Sequence, residues 1–322
     1  MLETHETIHC MIKIVGFHLI SKPYYGWIEG IKRHGDSYDL VKDFNPNATY
    51  NADCFYQTNL LKPKFMTGTR YINQGQKYQY ILKSKKPFLV SESEPFREYK
   101  SWLRFGWSGY GWEDANCNNN NVGPERWNKF ESKTGIIIKD WNSPGGNIVI
   151  MGQKEGDSAL VRLYEQGYKS FYDWVDDIIL KIRKHSNRPI IVRPHPRGSS
   201  KGLNKFVKNI KKHINVSMTT NLTRGGNQGG EGLEKDLAGA YCVVTFNSLS
   251  GIEAVTRGIP VYALDPGSMV WPIAHKDFSK IENLNYNIDL QDWKNKIAYT
   301  FWNRHEVKSG ETWAHLKEVY FK

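Results

Sequence analysis

Residues 241–264 read YCVVTFNSLSGIEAVTRGIPVYAL, and few folds accommodate that order of elements. The run 242–246 is short, apolar and rich in β-branched residues, the composition of a strand buried on both faces. Asn247, Ser248, Ser250 and Gly251 follow, all small and rich in hydrogen-bonding groups. Ile252, Ala254 and Val255 then begin a helical pattern that stops at Gly258, and 260–264 reads as the next strand. Strand, small polar loop, helix and strand make a βαβ unit. Its loop leaves the carboxyl edge of a parallel sheet, where free amides at a helix N-terminus favour an anion. The expectation is a loop that holds the phosphates of a nucleotide.

The remainder of the chain fits an α/β protein. Strands are expected over 11–17, 38–41, 54–56 and 87–91, with a helix from Trp27 to His34 capped by Gly35. This alternation predicts an open, mostly parallel first sheet. Residues 102–127, rich in Trp, Gly and Asn, read as one long loop, and 142–147 (NSPGGN) as an interdomain linker. A second series restarts with a strand at 148–151. Tyr168, Phe171, Trp174, Val175, Ile178, Ile179 and Ile182 then form one apolar helical face. A strand at 188–193 follows. Leu290, Trp293, Ile297, Phe301 and Trp302 suggest a C-terminal helix. The divisions expected are 11–143, 144–289 and 290–322.

At 322 residues the chain suffices for two domains, and its net charge of +11 favours an anionic partner. The basic residues are scattered, with small clusters such as Lys211-Lys212. Aromatics at 13% suit stacking on sugars or bases. Cys10, Cys54, Cys117 and Cys242 form no CxxC pair, the usage of a reducing cytoplasm rather than a disulfide framework or zinc site. No stretch approaches the length of a membrane span, and the start lacks a signal-peptide pattern. The expected location is therefore cytoplasmic. No membrane partner is expected, and a monomer is favoured.

Three loops in the second half each leave a predicted strand at its carboxyl end: 152–158, 193–197 and 247–251. In a parallel sheet these ends share one edge, so the loops can meet in one crevice. The first offers Gln153, Gly156, Asp157 and Ser158. The second, RPHPR, offers the guanidinium forks of Arg193 and Arg197 for a pyrophosphate, with His195 fixed between prolines. The third offers Asn247, Ser248, Ser250 and Gly251, with Glu253 just inside the helix to accept from ribose hydroxyls or to stabilise the helix dipole. No Gly-rich loop ends in Gly-Lys-Ser/Thr, no GxGxxG follows a strand, and no GxSxG elbow occurs. A nucleotide-sugar fits what remains.

The RPHPR and NSLSG segments, with Glu253-Ala254 before Arg257-Gly258-Ile259-Pro260-Val261, resemble the nucleotide-sugar half of GT-B glycosyltransferases, in a pattern similar to that of bacterial capsule-polysaccharide transferases. The segments FGWSGYGWEDANC (105–117), GQKEGDSAL (152–160) and SGETWAHL (309–316) resemble phage DNA-modifying glycosyltransferases. The resemblance implies two Rossmann-like domains facing a central cleft, donor in the second and acceptor in the first. It also implies a C-terminal helix crossing back to the first domain, and a reaction that needs no bound metal or other cofactor.

Inverting transfer requires a base for the acceptor hydroxyl and cations or dipoles for the departing diphosphate. Candidate bases are Glu92, which follows the strand at 87–91, then Glu94, which precedes Pro95-Phe96, and Asp36. The leading acceptor is a hydroxyl on a modified pyrimidine of double-stranded DNA, such as 5-hydroxymethylpyrimidine, with a UDP-sugar such as UDP-glucose as donor. Trp107, Tyr110 and Trp112 are then available to stack on a flipped base. The alternatives are a capsule or cell-envelope polysaccharide as acceptor, or a non-catalytic nucleotide-sugar-binding module.

Overall fold

The computed structural model describes residues 11–16, 23–40, 54–56, 85, 88–93, 95–96, 102–107, 109, 111–116, 119–196, 201–221 and 231–321. Glu94, Tyr110 and Arg197, three of the residues singled out above, lie outside them.

The first sheet opens with β1 (Lys13–Gly16), α1 (Pro23–Arg33) and β2 (Ser37–Leu40). Gly35 follows the helix at φ 75°, a left-handed conformation that a side chain resists, which is why the helix stops there. β3 (Cys54–Tyr56) and β4 (Phe88–Ser93) pair in parallel with their neighbours, whereas β5 (Trp102–Trp107) runs antiparallel to β4. Residues 102–127 are therefore not one loop. They contain β5, the short helix α2 (Trp112–Ala115) and the start of α3 (Glu125–Thr134).

The second sheet is built from β6 (Asn147–Met151), β7 (Ile190–Arg193), β8 (Val216–Met218), β9 (Ala240–Thr245) and β10 (Val261–Ala263), all parallel. Between them lie α4 (Val161–Glu165), α5 (Phe171–Arg183), α6 (Lys201–Asn209), α7 (Glu231–Ala238) and α8 (Ser250–Thr256). Every residue of β9 is buried, as its unbroken apolar run requires of a central parallel strand. The expected apolar face of α5 is also in the core, and Ser170 caps the helix by accepting from Asp173 N at 3.1 Å. Each of its fully buried isoleucines contributes on the order of 2 kcal/mol of hydrophobic stabilisation.

Strand order in this sheet is β10-β9-β6-β7-β8. The chain builds outward from β6 to β8, then returns to the other side of β6 for β9 and β10. The direction of winding thus reverses between β6 and β9, and a crevice opens beyond their carboxyl ends.

The tail contains α9 (Leu290–Ala298), β11 (Phe301–Asn303), α10 (Arg304–Ser309) and α11 (Glu311–Tyr320). Phe301 and Trp302, expected in a helix, form a strand instead. β11 joins the first sheet antiparallel to β5, giving the order β11-β5-β4-β3-β1-β2. That sheet is mixed rather than mostly parallel along its whole width. Trp313 of α11 packs edge-on against Trp27 of α1, with ring centroids 5.8 Å apart. No described helix is long and apolar enough to cross a membrane.

Candidate active site

Next to the reversal point, the loops after β6 and β7 meet because of one glycine. A Cβ on Gly152 would lie 2.7 Å from Arg193 O and 2.9 Å from His195 N, so only glycine permits the exit from β6 to run against the exit from β7. Gly152 N also donates to Arg193 O at 2.6 Å. The next residue, Gln153, is clasped to Asn247 at the exit from β9. Gln153 Nε2 donates to Asn247 Oδ1 at 2.7 Å, and Asn247 N donates to Gln153 Oε1 at 3.0 Å. Asn247 Nδ2 extends the tie to Ala159 O at 2.7 Å and to Asp265 Oδ1 at 3.2 Å. The loops after β6, β9 and β10 are therefore fastened together through Asn247.

Several residues expected to bind phosphate have other employment. Arg193 is buried, and its Nη1 donates to Asp236 Oδ2 at 2.5 Å and to Gly232 O at 3.2 Å. Asp236 also accepts from Thr219 Oγ1 at 2.8 Å and from Asn221 Nδ2 at 2.7 Å. That network holds β7 to α7 and engages Nη1 of the guanidinium. The amides opening α8 are likewise occupied: Ser250 N donates to Ser248 Oγ at 3.2 Å and Gly251 N to Ser248 O at 3.0 Å. Gly251 serves packing, since a Cβ there would lie 3.0 Å from Val270 Cγ2. Asp157 closes its own turn by accepting from Ala159 N at 3.1 Å, and Gly156 supplies that turn with φ 73°. His195 stands half-buried after β7, and Glu253 half-buried in the first turn of α8. Ser158 opens a short 3₁₀ turn leading into α4.

The first-half candidates fare differently. Asp36 precedes β2 and so lies at the amino edge of the parallel strands, opposite to any site at their carboxyl ends. It is buried and accepts from Ile12 N at 2.8 Å, Trp313 Nε1 at 2.7 Å and Lys317 Nζ at 2.8 Å. These bonds make it a structural anchor for α11, not a base. Glu92 is half-buried inside β4 rather than beyond it, in register with Arg104 of β5. Trp107 and Trp112 are core residues. Trp107 Nε1 donates to Leu316 O at 3.1 Å, and its ring packs on Trp313, Tyr320 and Phe321, which leaves no face for a base or sugar. Trp112 is 7% exposed.

The structure adds a cluster that the sequence reading did not single out. The start of α2 rests on the loop after β10, with Trp112 N donating to Gly267 O at 2.9 Å. A Cβ on Gly111 would lie 2.8 Å from Gly267 Cα, so glycine is what permits this approach. Glu113 and Asp114 of α2 are thereby brought to Arg162 of α4 and Asp265 beyond β10. Arg162 Nη2 donates to Glu113 Oε2 at 2.5 Å, and Arg162 Nη1 lies 3.5 Å from Asp265 Oδ1. Asp265 Oδ1 also accepts from Gly267 N at 2.7 Å, whereas its buried Oδ2 has no hydrogen-bond partner among the described residues.

The electrostatics follow from burial. Desolvation pushes Asp114 up to about 6, with Arg162 pulling it down and Glu113 pushing it further up. Asp265 is raised by burial too, against its bond from Asn247 and the charge of Arg162. Burial works against the Arg162 charge, yet Asp265, Glu113 and Asp114 together hold its pKa above the ordinary value. A carboxylate poised near neutrality beside a fixed guanidinium is equipped to accept a proton from a hydroxyl while the cation holds an anionic group. Asp265 was findable, because it leaves a parallel strand like the other loops. Arg162, in the first turn of a short helix, carried no such signal.

Compared with known proteins, the chain matches no protein-family model and no curated sequence. Among solved structures it is similar to the Thermosulfurimonas dismutans KpsC beta Kdo 2,4 transferase, at 13% identity and a TM-score of 0.47, over 97% of this chain and 98% of that one. The beta Kdo 2,7 transferase of KpsC from the same organism aligns at 14% identity and a TM-score of 0.49, over 95% and 99%. Aspartate transcarbamoylase from Trypanosoma cruzi aligns at 8% identity and a TM-score of 0.25, over 92% and 82%. Likeness at these values carries no inference about substrate. What the site can do follows from its own residues.

Proposed function

We propose that the chain is a glycosyltransferase that moves a sugar from a nucleotide-sugar to a hydroxyl of a glycan. The observation that carries this reading is the bond of Arg162 to Glu113, the chain neighbour of Asp114, with the same guanidinium close to Asp265, which Asn247 ties to the exits of β6 and β9. Open parallel sheets bind nucleotides at such points, and a hydroxyl acceptor needs a base of raised pKa there. The two sheets are read as the two halves of a GT-B enzyme, the second holding the donor and the first presenting Asp114 to the acceptor.

In the reaction proposed, Asp114 takes the proton of the acceptor hydroxyl as its oxygen bonds to the anomeric carbon. The bond from that carbon to the phosphate oxygen breaks, and its electron pair leaves on the diphosphate. Arg162, in the helix after β6, and His195, in the segment after β7, are assigned to the departing charge. Direct displacement of this kind inverts the anomeric centre. It asks for no metal, and both expectations belong to the proposal.

A glycan acceptor suits the residues better than DNA. Trp107 and Trp112, the rings meant to stack on a flipped base, lie in the core.

The test is a panel of UDP-hexoses and an activated Kdo, offered with glycan primers and, in parallel, with hydroxymethylated duplex DNA. Transfer to a primer, with donor turnover lost in Asp114→Asn and donor binding kept, is the expected result. Sugar on the DNA and none on any primer would return the acceptor to nucleic acid. Neither turnover nor donor binding across the panel would remove the transferase reading.

A further inference from the structure

The net charge of +11 is not accounted for by the site, whose own cluster is acidic. Part of it is gathered on α6 and the 3₁₀ turn Ile210–Lys212 that continues it. Residues 201–212 contain Lys201, Lys205, Lys208, Lys211 and Lys212 and no acid. Spacings of four, three and four residues put Lys201, Lys205, Lys208 and Lys212 on one side of the helix. Phe206, on the opposite side, is buried at 2% exposure. The sequence showed only scattered lysines; the fold turns them into a face.

Neighbouring acids neutralise two of the five. Lys205 lies 3.7 Å from Asp173 and Lys212 2.8 Å from Asp176, both acids on α5. Lys201, Lys208 and Lys211 are exposed and have no carboxylate partner among the described residues. Beside them stand two exposed apolar side chains, Val207 at 44% and Ile214 at 82%. Ile214 is held out rigidly. Arg183 Nε donates to Ile214 O and Arg183 Nη2 to Asn215 O, each at 3.0 Å, and Asn215 adopts φ 54° with its Nδ2 donating to Asn187 O at 3.1 Å.

We propose that this lysine face, with Val207 and Ile214 at its margin, docks the protein on an anionic lipid bilayer. Cations that reach headgroup phosphates, with apolar tips that enter the acyl boundary, are the chemistry of a helix lying in a membrane interface. A nucleic-acid backbone would meet the lysines equally well. It offers nothing to Val207 and Ile214, and the one aromatic ring of residues 201–212, Phe206, is buried and cannot stack on a base. The proposal is independent of the reaction assigned above.

The full chain is sedimented with vesicles of phosphatidylcholine alone and with vesicles doped with phosphatidylglycerol, at low and high salt. The expected result is binding to the anionic vesicles only, weakened by salt. The triple variant K201S/K208S/K211S should lose affinity by on the order of a hundredfold. Ile214→Ser should lose about tenfold while keeping the salt dependence. All four positions are exposed, and unchanged circular dichroism and melting temperature verify the fold of each variant. Equal binding to neutral vesicles, full binding by the triple variant, or lysine-dependent binding to duplex DNA without binding to vesicles would each overturn the proposal.

Discussion

Arg162 Nη2 donates to Glu113 Oε2 at 2.5 Å, joining a helix that follows β6 of the second sheet to one that follows β5 of the first. The same guanidinium lies 3.5 Å from Asp265 and lowers the pKa of Asp114. One side chain thus links both halves of the chain to the carboxylate proposed as base.

The pH profile of transfer tests that link. Asp114 works as a base only when ionised, so the acid limb of activity should fall near its pKa of about 6. Arg162→Met removes the charge that lowers this pKa, and the limb should move to higher pH. Glu113→Gln removes a charge that raises it, and the limb should move to lower pH. Opposite displacements are the signature. Two variants displaced the same way, or a limb unmoved in both, would show that Asp114 does not set the profile.

Arg193 should behave as a structural residue. Its partner Asp236 has a side chain only 1% exposed, so truncating either leaves a buried charge uncompensated. Arg193→Ala is expected to cost about 3–5 kcal/mol of stability, read as a large fall in melting temperature. The double variant R193M/D236L should recover most of that loss, and donor affinity with it. A stable Arg193→Ala protein that fails to bind donor would return Arg193 to the phosphate site.

That outcome bears on what the sequence could reveal. β6, β7 and β9 were legible because strands buried on both faces are unbroken apolar runs, and α5 because its apolar positions keep helical spacing. β5 was hidden: its WLRFGW contains a glycine and a charge, and its burial comes from partners remote in sequence. Phe301 and Trp302 continued the spacing of α9 so closely that a strand of three residues was not separable from it. Charged residues misled for one reason. Arg193 finds Asp236 43 positions away, and Asp36 finds Trp313 277 positions away, so neither pairing leaves a local trace. The converging loops were legible at the level of backbone, and the side chains that meet there were not.

Asp36 should be as silent in catalysis as it is important for stability. Its side chain is 1% exposed and bonded to Lys317, Trp313 Nε1 and Ile12 N, the contacts that fasten α11 and β1. Asp36→Ala should destabilise by about 3 kcal/mol or more. Activity per folded molecule, measured well below the melting temperature, should stay within about twofold of the parent. A stable variant with kcat lowered a hundredfold would contradict the structural role.

Asp114 should show the reverse pattern, because its pKa shift opposes stability. The carboxyl ionises near 3.8 in the unfolded chain and near 6 in the folded one. The folded state therefore holds its proton longer, and stability falls as pH rises through that window and stays reduced above it. Asp114→Asn removes the titration. At about pH 8 the variant should gain on the order of 2 kcal/mol over the parent, and below about pH 3, where both states are protonated, the gain should vanish. Transfer should fall by roughly two to four orders of magnitude. A residue kept where it weakens the fold and empowers the reaction is what a working base requires. Denaturant titrations at the two pH values, beside the transfer assay, decide it: loss of stability together with loss of activity would mean that Asp114 holds the loop in place and does no chemistry.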